Sequence, residues 1–293
     1  MKRLNHKMLK AKLLNSQFKV FNAIIASVFF TLLLFPSKVN YAKAWNNGDK
    51  VKTIVIDPGH GGHDSGCIGH TRVNEKVVAL NIALLLGGYI EKNLPDVKVI
   101  YTREKDVFVE LEERAAIANR ANADLFISIH CNAASAAAHG TETYVMGLHK
   151  TEGNLNVAKR ENSVIKLEEN QDSYAGMDLD SDEAYIIMSL TQSAHLVQST
   201  LLAQKIQEQY TDRVGRRNRG VKSAGFWVLW RTNMPSVLTE TGFLTNASEE
   251  KFLNSKKGQE YIASAIFRAV RDYKSEVEKS TNSLDIILSL IHI

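Results

Sequence analysis

The sequence predicts an α/β fold, a sheet covered by helices on both faces. Three observations carry this. From residue 50 onward, short apolar runs alternate with segments of helical periodicity. No period of 20–50 residues recurs, which excludes a solenoid. The 293 residues are 44% hydrophobic, 8% aromatic and 23% charged, which excludes a disordered, collagen-like or multi-span membrane chain.

The elements follow in order. Thr53 to Asp57 reads as a short buried strand closed by Pro58-Gly59. Asn74 to Leu94 has helical spacing, with Val78, Ile82, Leu85, Leu86, Tyr89 and Ile90 on one stripe. Pro95-Asp96 ends it, and Val97 to Tyr101 is a second strand. Glu110 to Asn122 reads as a helix with Leu111, Ala115 and Ala118 inward. Leu125 to His130 and Thr141 to Met146 are the next strands, and Phe226 to Trp230 and Val237 to Thr239 read as two more. Ser248 to Lys279 closes the domain with helical pattern.

Net charge misleads. The chain carries +4 overall, yet residues 1–44 hold eight Lys/Arg and no acid, leaving 28 basic against 32 acidic residues in the rest. A nucleic-acid reading therefore loses its warrant. The basic stretch Lys2 to Lys19, the apolar run Val20 to Phe35 and then Ala42-Lys43-Ala44 have the order of an export signal. At about 16 residues the run is short for a ~30 Å hydrocarbon core. The expectation is a signal peptide over 1–44, cleaved after Ala44, with an uncleaved anchor as the alternative. The chain is then exported, to the periplasm or else to the cell surface or medium, with no stable membrane span after cleavage. The expected domain runs over 45–280, and the apolar tail 281–293 has no assigned role.

Residues 151–183 break the rhythm. Seven acids lie between Glu168 and Glu183, and Asp180 with Glu183 forms a capping-box pattern. A long helix through Ile187, Leu190, Ala194, Val197, Leu201 and Ile206 is expected to follow. The stretch 151–183 reads as an insert over one end of the sheet, or as a solvated loop.

Ligand-type residues fall just past strand ends, where α/β sheets build sites. They are Asp57-Pro-Gly-His60-Gly-Gly-His63-Asp64, Asn74-Glu75-Lys76 and Ser128-Ile-His130-Cys131-Asn132. Glycines allow a sharp bend that aims His60 into a pocket. Two histidines and a glutamate suit a three-ligand zinc site with an open fourth position. In Pro235 to Leu244, Glu240 ends an apolar strand. A buried carboxylate there is costly unless used or paired, so Glu240 is a candidate general base, with a salt-bridged structural role as the alternative. His63 competes with His60. His70, His139, His149 and His195 read as ordinary polar residues.

The segments DPGHGG (57–62), NEK (74–76), SIHCN (128–132) and PSVLTETGFLTN (235–246) resemble the zinc-dependent N-acetylmuramoyl-L-alanine amidases of the amidase-3 type. Residues 101–130 are also similar, so the resemblance spans about 52–275. It implies a single α/β domain with a six-stranded mixed, mostly parallel sheet flanked by helices. It implies Zn²⁺ on His60, Glu75 and His130, and Glu240 as the catalytic glutamate. It implies a substrate, the amide between N-acetylmuramic acid and L-Ala of peptidoglycan, and a role in wall remodelling and daughter-cell separation. Some members carry an inhibitory element over the zinc that an activator protein moves. Here Glu161, Glu168 or Glu169 of the insert are the candidates for that position.

Further readings stay open. Asp57 either orients a ligand or caps a turn. Cys67 and Cys131, each near a zinc histidine in sequence, form a disulfide, stay free or ligate zinc. The basic run Arg213, Arg216, Arg217, Arg219 and Lys222 holds stem-peptide carboxylates or is a solvated loop. The rival functions are a zinc carboxypeptidase-like peptidase and a non-catalytic wall-binding module.

Overall fold

Period-2 alternation in the apolar runs decides which side chains share a face. In the computed structural model of the chain, β1 (Thr53–Pro58), β2 (Lys98–Tyr101), β3 (Leu125–Asn132), β4 (Thr141–Met146), β5 (Asn218–Ala224) and β6 (Ser236–Phe243) form one sheet. Its order is β2-β1-β3-β6-β4-β5. β2, β1, β3 and β6 run parallel, β4 is antiparallel to β6, and β5 is parallel to β4. The structure describes residues 50–169, 171, 174, 181–190 and 195–291, and only the backbone of 187, 189, 190 and 280–291. The expected leader and Asp180 lie outside these residues.

Eight α-helices are present among the described residues: α1 (Glu75–Asn93), α2 (Leu111–Arg120), α3 (Glu152–Asn162), α4 (Asp182–Leu190), α5 (Leu196–Val214), α6 (Trp227–Trp230), α7 (Ala247–Leu253) and α8 (Lys256–Ile291). No helix among those residues is long and apolar enough to cross a membrane. On one sheet face Ile54, Ile56, Leu125, Ile127 and Val237 pack with α1, α5 and α8 through Ile82, Ile206 and Ile266. On the other, Val55, Phe126, Tyr144 and Leu238 pack with α2, α3 and α6 through Ala118, Ala158 and Val228. The expected two-sided α/β sheet of six strands is what the chain forms.

Three expectations need correction. Phe226 to Trp230 is not a strand: Trp227–Trp230 is one helical turn, and the strand is Asn218–Ala224 just before it. A short apolar run does not separate helix from strand by periodicity. The true strand is polar because it is a sheet edge, where charged side chains discourage pairing with another chain. The basic run is divided: Arg213 ends α5, Arg216 and Arg217 lie in the connecting loop, and Arg219 and Lys222 stand on β5. The single helix expected from Glu183 to Ile206 is two, α4 and α5, and the closing pattern divides at Asn254-Ser255 into α7 and α8, which reaches Ile291.

One buried ion pair fixes the turn that leaves β1. Arg114 of α2 is 2% exposed and donates to Asp57 Oδ1 at 2.8 Å. The same nitrogen, Nη1, donates to the Pro58 carbonyl at 2.8 Å, Nη2 to that of His60 at 2.8 Å and Nε to that of Val109 at 2.9 Å. Thr102 and Ser128 also donate to Asp57, at 2.6 and 2.7 Å. Burial pushes the Asp57 carboxyl up, but Arg114 and the two hydroxyls outweigh it and hold it below its usual 3.8. A folded-state value below the unfolded one stabilises the fold above that pH, and the contribution fades as pH falls through it. Arg114→Met leaves Asp57 buried without its cation and is expected to cost about 3–5 kcal/mol at neutral pH. Urea unfolding should show the gap from wild type narrowing below about pH 4.

Candidate metal centre

The polar residues of the second face gather at one rim of the sheet. On β3, Ser128 and His130 alternate with Ile129 and Cys131, which face the α1 side. Residues His130, Glu240 and Glu142 are register partners across β3, β6 and β4. This row places an imidazole and two carboxylates side by side on one face.

His60 enters from the turn after β1 with φ of 61°, and Gly61 and Gly62 follow at 130° and 59°. Left-handed backbone favours glycine, so the glycines carry the bend. Two others make room. A Cβ on Gly59 would lie 2.4 Å from the His130 ring, and one on Gly66 would lie 2.5 Å from His60 and 2.7 Å from Glu75. Glu75 stands in the first turn of α1, where the helix dipole favours an anion. Its oxygens accept the backbone N–H groups of Cys67 and Cys131, each at 2.8 Å. The loop leading to it is tied down by Glu250 of α7, which accepts the Thr71 N–H at 2.8 Å.

The structure brings His60, Glu75 and His130 together, with Glu161 of α3 as a fourth member. One ligand atom from each lies within 4.8 Å of all the others. Glu161 Oε2 is 3.2 Å from His60 Nε2 and 3.0 Å from His130 Nδ1. Glu75 Oε1 is 3.2 Å and 3.1 Å from the same two nitrogens. Asp64 sits 2.7 Å from His60 Nδ1. With Nδ1 donating to Asp64, Nε2 is the nitrogen that faces the cluster and can ligate an ion once its proton is displaced.

Charge balance tests whether a cation fits. Burial pushes both imidazoles toward neutrality, but Glu75 raises His60 well above its usual value and Glu161 raises His130 to about 9. Conversely, burial pushes Glu75 and Glu161 up, and His60 and Arg160 respectively hold them well below the carboxylate range. Two buried carboxylates thus draw two protons onto two imidazoles. A divalent ion carries the same two charges and replaces those protons. His60 Nε2 and Glu161 Oε2 are buried without a hydrogen-bond partner among the described residues. Nitrogen and oxygen donors, orphaned lone pairs and this charge balance all fit a divalent transition-metal ion.

Glu240 is fully buried beside the cluster, with Oε2 unpartnered among the described residues and Oε1 3.3 Å from Arg160 Nη2. Burial and the Glu161 charge raise its carboxyl well above the usual value. Arg160 also donates to Glu161 at 2.8 Å, to the Ala133 carbonyl at 3.0 Å and to Asn132 Oδ1 at 3.2 Å. Asn162 locks the end of α3 through Gly225 O and Trp227 N, both at 2.9 Å. A cavity of only about 10 Å³ remains behind the cluster, room for about one water.

Other candidates lie elsewhere. His63 is exposed and stacks on Phe108 at 4.0 Å. His70, His139, His149 and His195 are outside the cluster. Glu168 caps α2 by accepting the Leu111 N–H at 2.8 Å and bonds Tyr174 at 2.6 Å. Asp57 bears on His60 through Arg114, which donates both to the Asp57 carboxylate and to the His60 carbonyl. Cys67 and Cys131 are free, and burial pushes both thiols up. Cys131 points to the opposite sheet face from His130, so it is no ligand. Asp64, Arg114 and Arg160 received no role from sequence; an Asp four residues after the turn histidine was the available signal for the first.

Fold and site together define an α/β domain with a two-histidine, two-carboxylate metal-type centre at a sheet rim. The chain belongs to the N-acetylmuramoyl-L-alanine amidase family (Amidase_3), which matches residues 54–272. It is 32% identical over 232 residues to the amidase AmiC of Escherichia coli O6:H1, covering 77% of this chain and 53% of that one. It is also 32% identical to AmiA of Escherichia coli K12, covering 79% and 78%. This chain thus spans about half the length of AmiC. Among solved structures, an N-acetylmuramoyl-L-alanine amidase from Clostridium difficile 630 superposes with TM-score 0.57 at 30% identity, over 77% of this chain and 97% of that one. The catalytic domain of CwlV from Paenibacillus polymyxa gives 0.55 at 29%, over 76% and 97%.

Chelator-stripped protein should take up one divalent cation per chain in titration calorimetry. Affinity should rise as pH is raised toward about 9, because the imidazoles must lose their protons first. His60→Ala or His130→Ala should abolish tight uptake, and Glu161→Ala should leave the stoichiometry at one.

Proposed function

We propose that the protein hydrolyses the amide joining the lactyl group of N-acetylmuramic acid to L-Ala of the peptidoglycan stem peptide. The observation that carries this is the row His130–Glu240 beside His60 and Glu75, on a fold of the amidase family. His60, Glu75 and His130 would hold the ion, taken as Zn²⁺ because imidazole nitrogen and carboxylate oxygen are its usual donors. When bound, that ion polarises a carbonyl oxygen and makes water acidic enough to attack near neutral pH.

The remaining chemistry belongs to the chain. Glu240 takes the proton from the attacking water and passes it to the L-Ala nitrogen as the bond breaks. Its burial strengthens both transfers, since water does not compete there. Asp64 keeps His60 in the tautomer that presents Nε2. Glu161 fills the position an open ligand site keeps for substrate, and Arg160 pairs with Glu240. The insert therefore holds the enzyme shut, and a partner that draws α3 away releases it. Residues 1–44 serve export to the periplasm, and wall remodelling with cell separation is the cellular role; a substrate outside the cytoplasm and the basic–apolar–A-x-A leader support both.

Mass spectrometry of products from purified wall sacculi should show intact stem peptides with a free L-Ala amino terminus. Peptides shortened at the carboxyl end would mark a carboxypeptidase instead. Glu240→Ala should lose about 10²–10⁴-fold in rate while retaining its metal; loss of bound metal would make Glu240 a ligand. Glu161→Ala should raise basal activity above wild type, and an unchanged rate in a folded, metal-loaded variant would remove the plug.

A further inference from the structure

We infer that Arg219 and Lys222 form a subsite that reads the free carboxylate on the second residue of the stem peptide. The inference rests on the amidase reading and extends it to specificity. It begins from the row of register partners. Glu240 on β6 faces Glu142 on β4, and β5 is the next strand outward. Neighbouring strands lie about 4.8 Å apart. Glu240 has the cluster on one side and Glu142 on the other. Because Glu240 must reach the leaving nitrogen, the peptide that starts at that nitrogen departs on the Glu142 side.

That side holds an unusual charge arrangement. Glu142 is 2% exposed, and its Oε1 pairs with both Arg219 Nε and Lys222 Nζ, the latter at 2.7 Å. Its Oε2 accepts from Tyr144 OH at 2.7 Å and Asn132 Nδ2 at 3.1 Å. One buried carboxylate thus serves two cations, and the trio keeps a net positive charge. Among the described residues no other acid pairs with either cation. Among the described residues Arg219 meets Glu142 through Nε, and its two terminal nitrogens can take an incoming carboxylate. Both heads are pre-set on rings, Arg219 over Phe243 at 5.0 Å and Lys222 over Tyr144 at 5.8 Å. The side chains are 31% and 22% exposed, so they are reachable.

Distance selects the carboxylate. The cationic heads meet on Glu142, about one strand spacing, ~4.8 Å, from Glu240. One residue of extended peptide advances about 3.3–3.6 Å. One residue plus a carboxyl branch therefore reaches from the leaving nitrogen to the pair. The second stem residue is an acid linked through its side chain, so its α-carboxyl is left free or is capped as an amide. A guanidinium fork and an ammonium recognise the first and have no charge to pair with in the second.

The test uses the full chain and two soluble N-acetylmuramoyl peptides that differ only in that carboxylate or its primary amide. Wild type should favour the acid by about 10-fold in kcat/KM, chiefly through KM, since charge-assisted bonds are about twice as strong as neutral ones. Arg219→Gln and Lys222→Met should each cut the ratio to about 3, and the double variant to about 1. Glu142→Gln removes the internal competitor and should raise it. The preference should also shrink as salt rises from about 0.05 to about 0.5 M. An acid-to-amide ratio that is the same in wild type and all variants, or losses equal on both substrates, overturns the subsite. Cleavage of neither peptide by wild type or by Glu161→Ala overturns the amidase reading and the subsite with it.

Discussion

The structure depends on keeping two carboxylates, Glu75 and Glu161, and two imidazoles in one buried space. Taking an ionised carboxylate out of water costs several kcal/mol unless charge and hydrogen bonds replace the lost hydration. Here the replacement is complete for Glu75. Two backbone N–H groups and two imidazoles surround it. Every element nearby serves that arrangement. Gly59 and Gly66 thin the backbone where the rings must approach, Asp64 orients His60, and Arg114 pins the turn that carries it.

The same physics explains why the insert sits where it does. α3 brings Glu161 to the imidazoles and Arg160 to Glu240, so its two adjacent charges answer the two charges of the site. An apolar side accompanies them, with Leu155, Val157 and Ala158 buried in the second core. Opening the site therefore exposes apolar surface as well as breaking ion pairs. Burying a side chain such as Leu155 or Val157 is worth about 1.5–3 kcal/mol, so packing as well as ion pairing holds α3 over the cluster.

The sheet was largely legible because its signals are local. Alternating Ile/Val runs ending at Pro58, Tyr101 and His130 need only period 2 to be recognised, and α1 only its stripe. Legibility failed where context overrides propensity. β5 reads as a basic loop because an edge strand has one unpaired side and needs no apolar run. Phe226 to Trp230 reads as a strand because five apolar residues fit either state. Near the site, Glu161 stood as one of three acids that sequence spacing does not separate. Glu168, seven residues later, caps a helix instead.

Sequence alone determined the kinds of atom available at the rim: an imidazole after β1 and another within β3, a carboxylate opening α1 and another within β6. Strand and helix periods are short-range, so the side each residue faces follows from its neighbours. Only the tertiary structure decided which of them meet. It chose Glu161 for the cluster, separated Cys131 from His130 by one strand position, and set Arg219 and Lys222 beside Glu142. Those meetings join residues up to about a hundred positions apart, and buried charge is stable only where such distant partners arrive together.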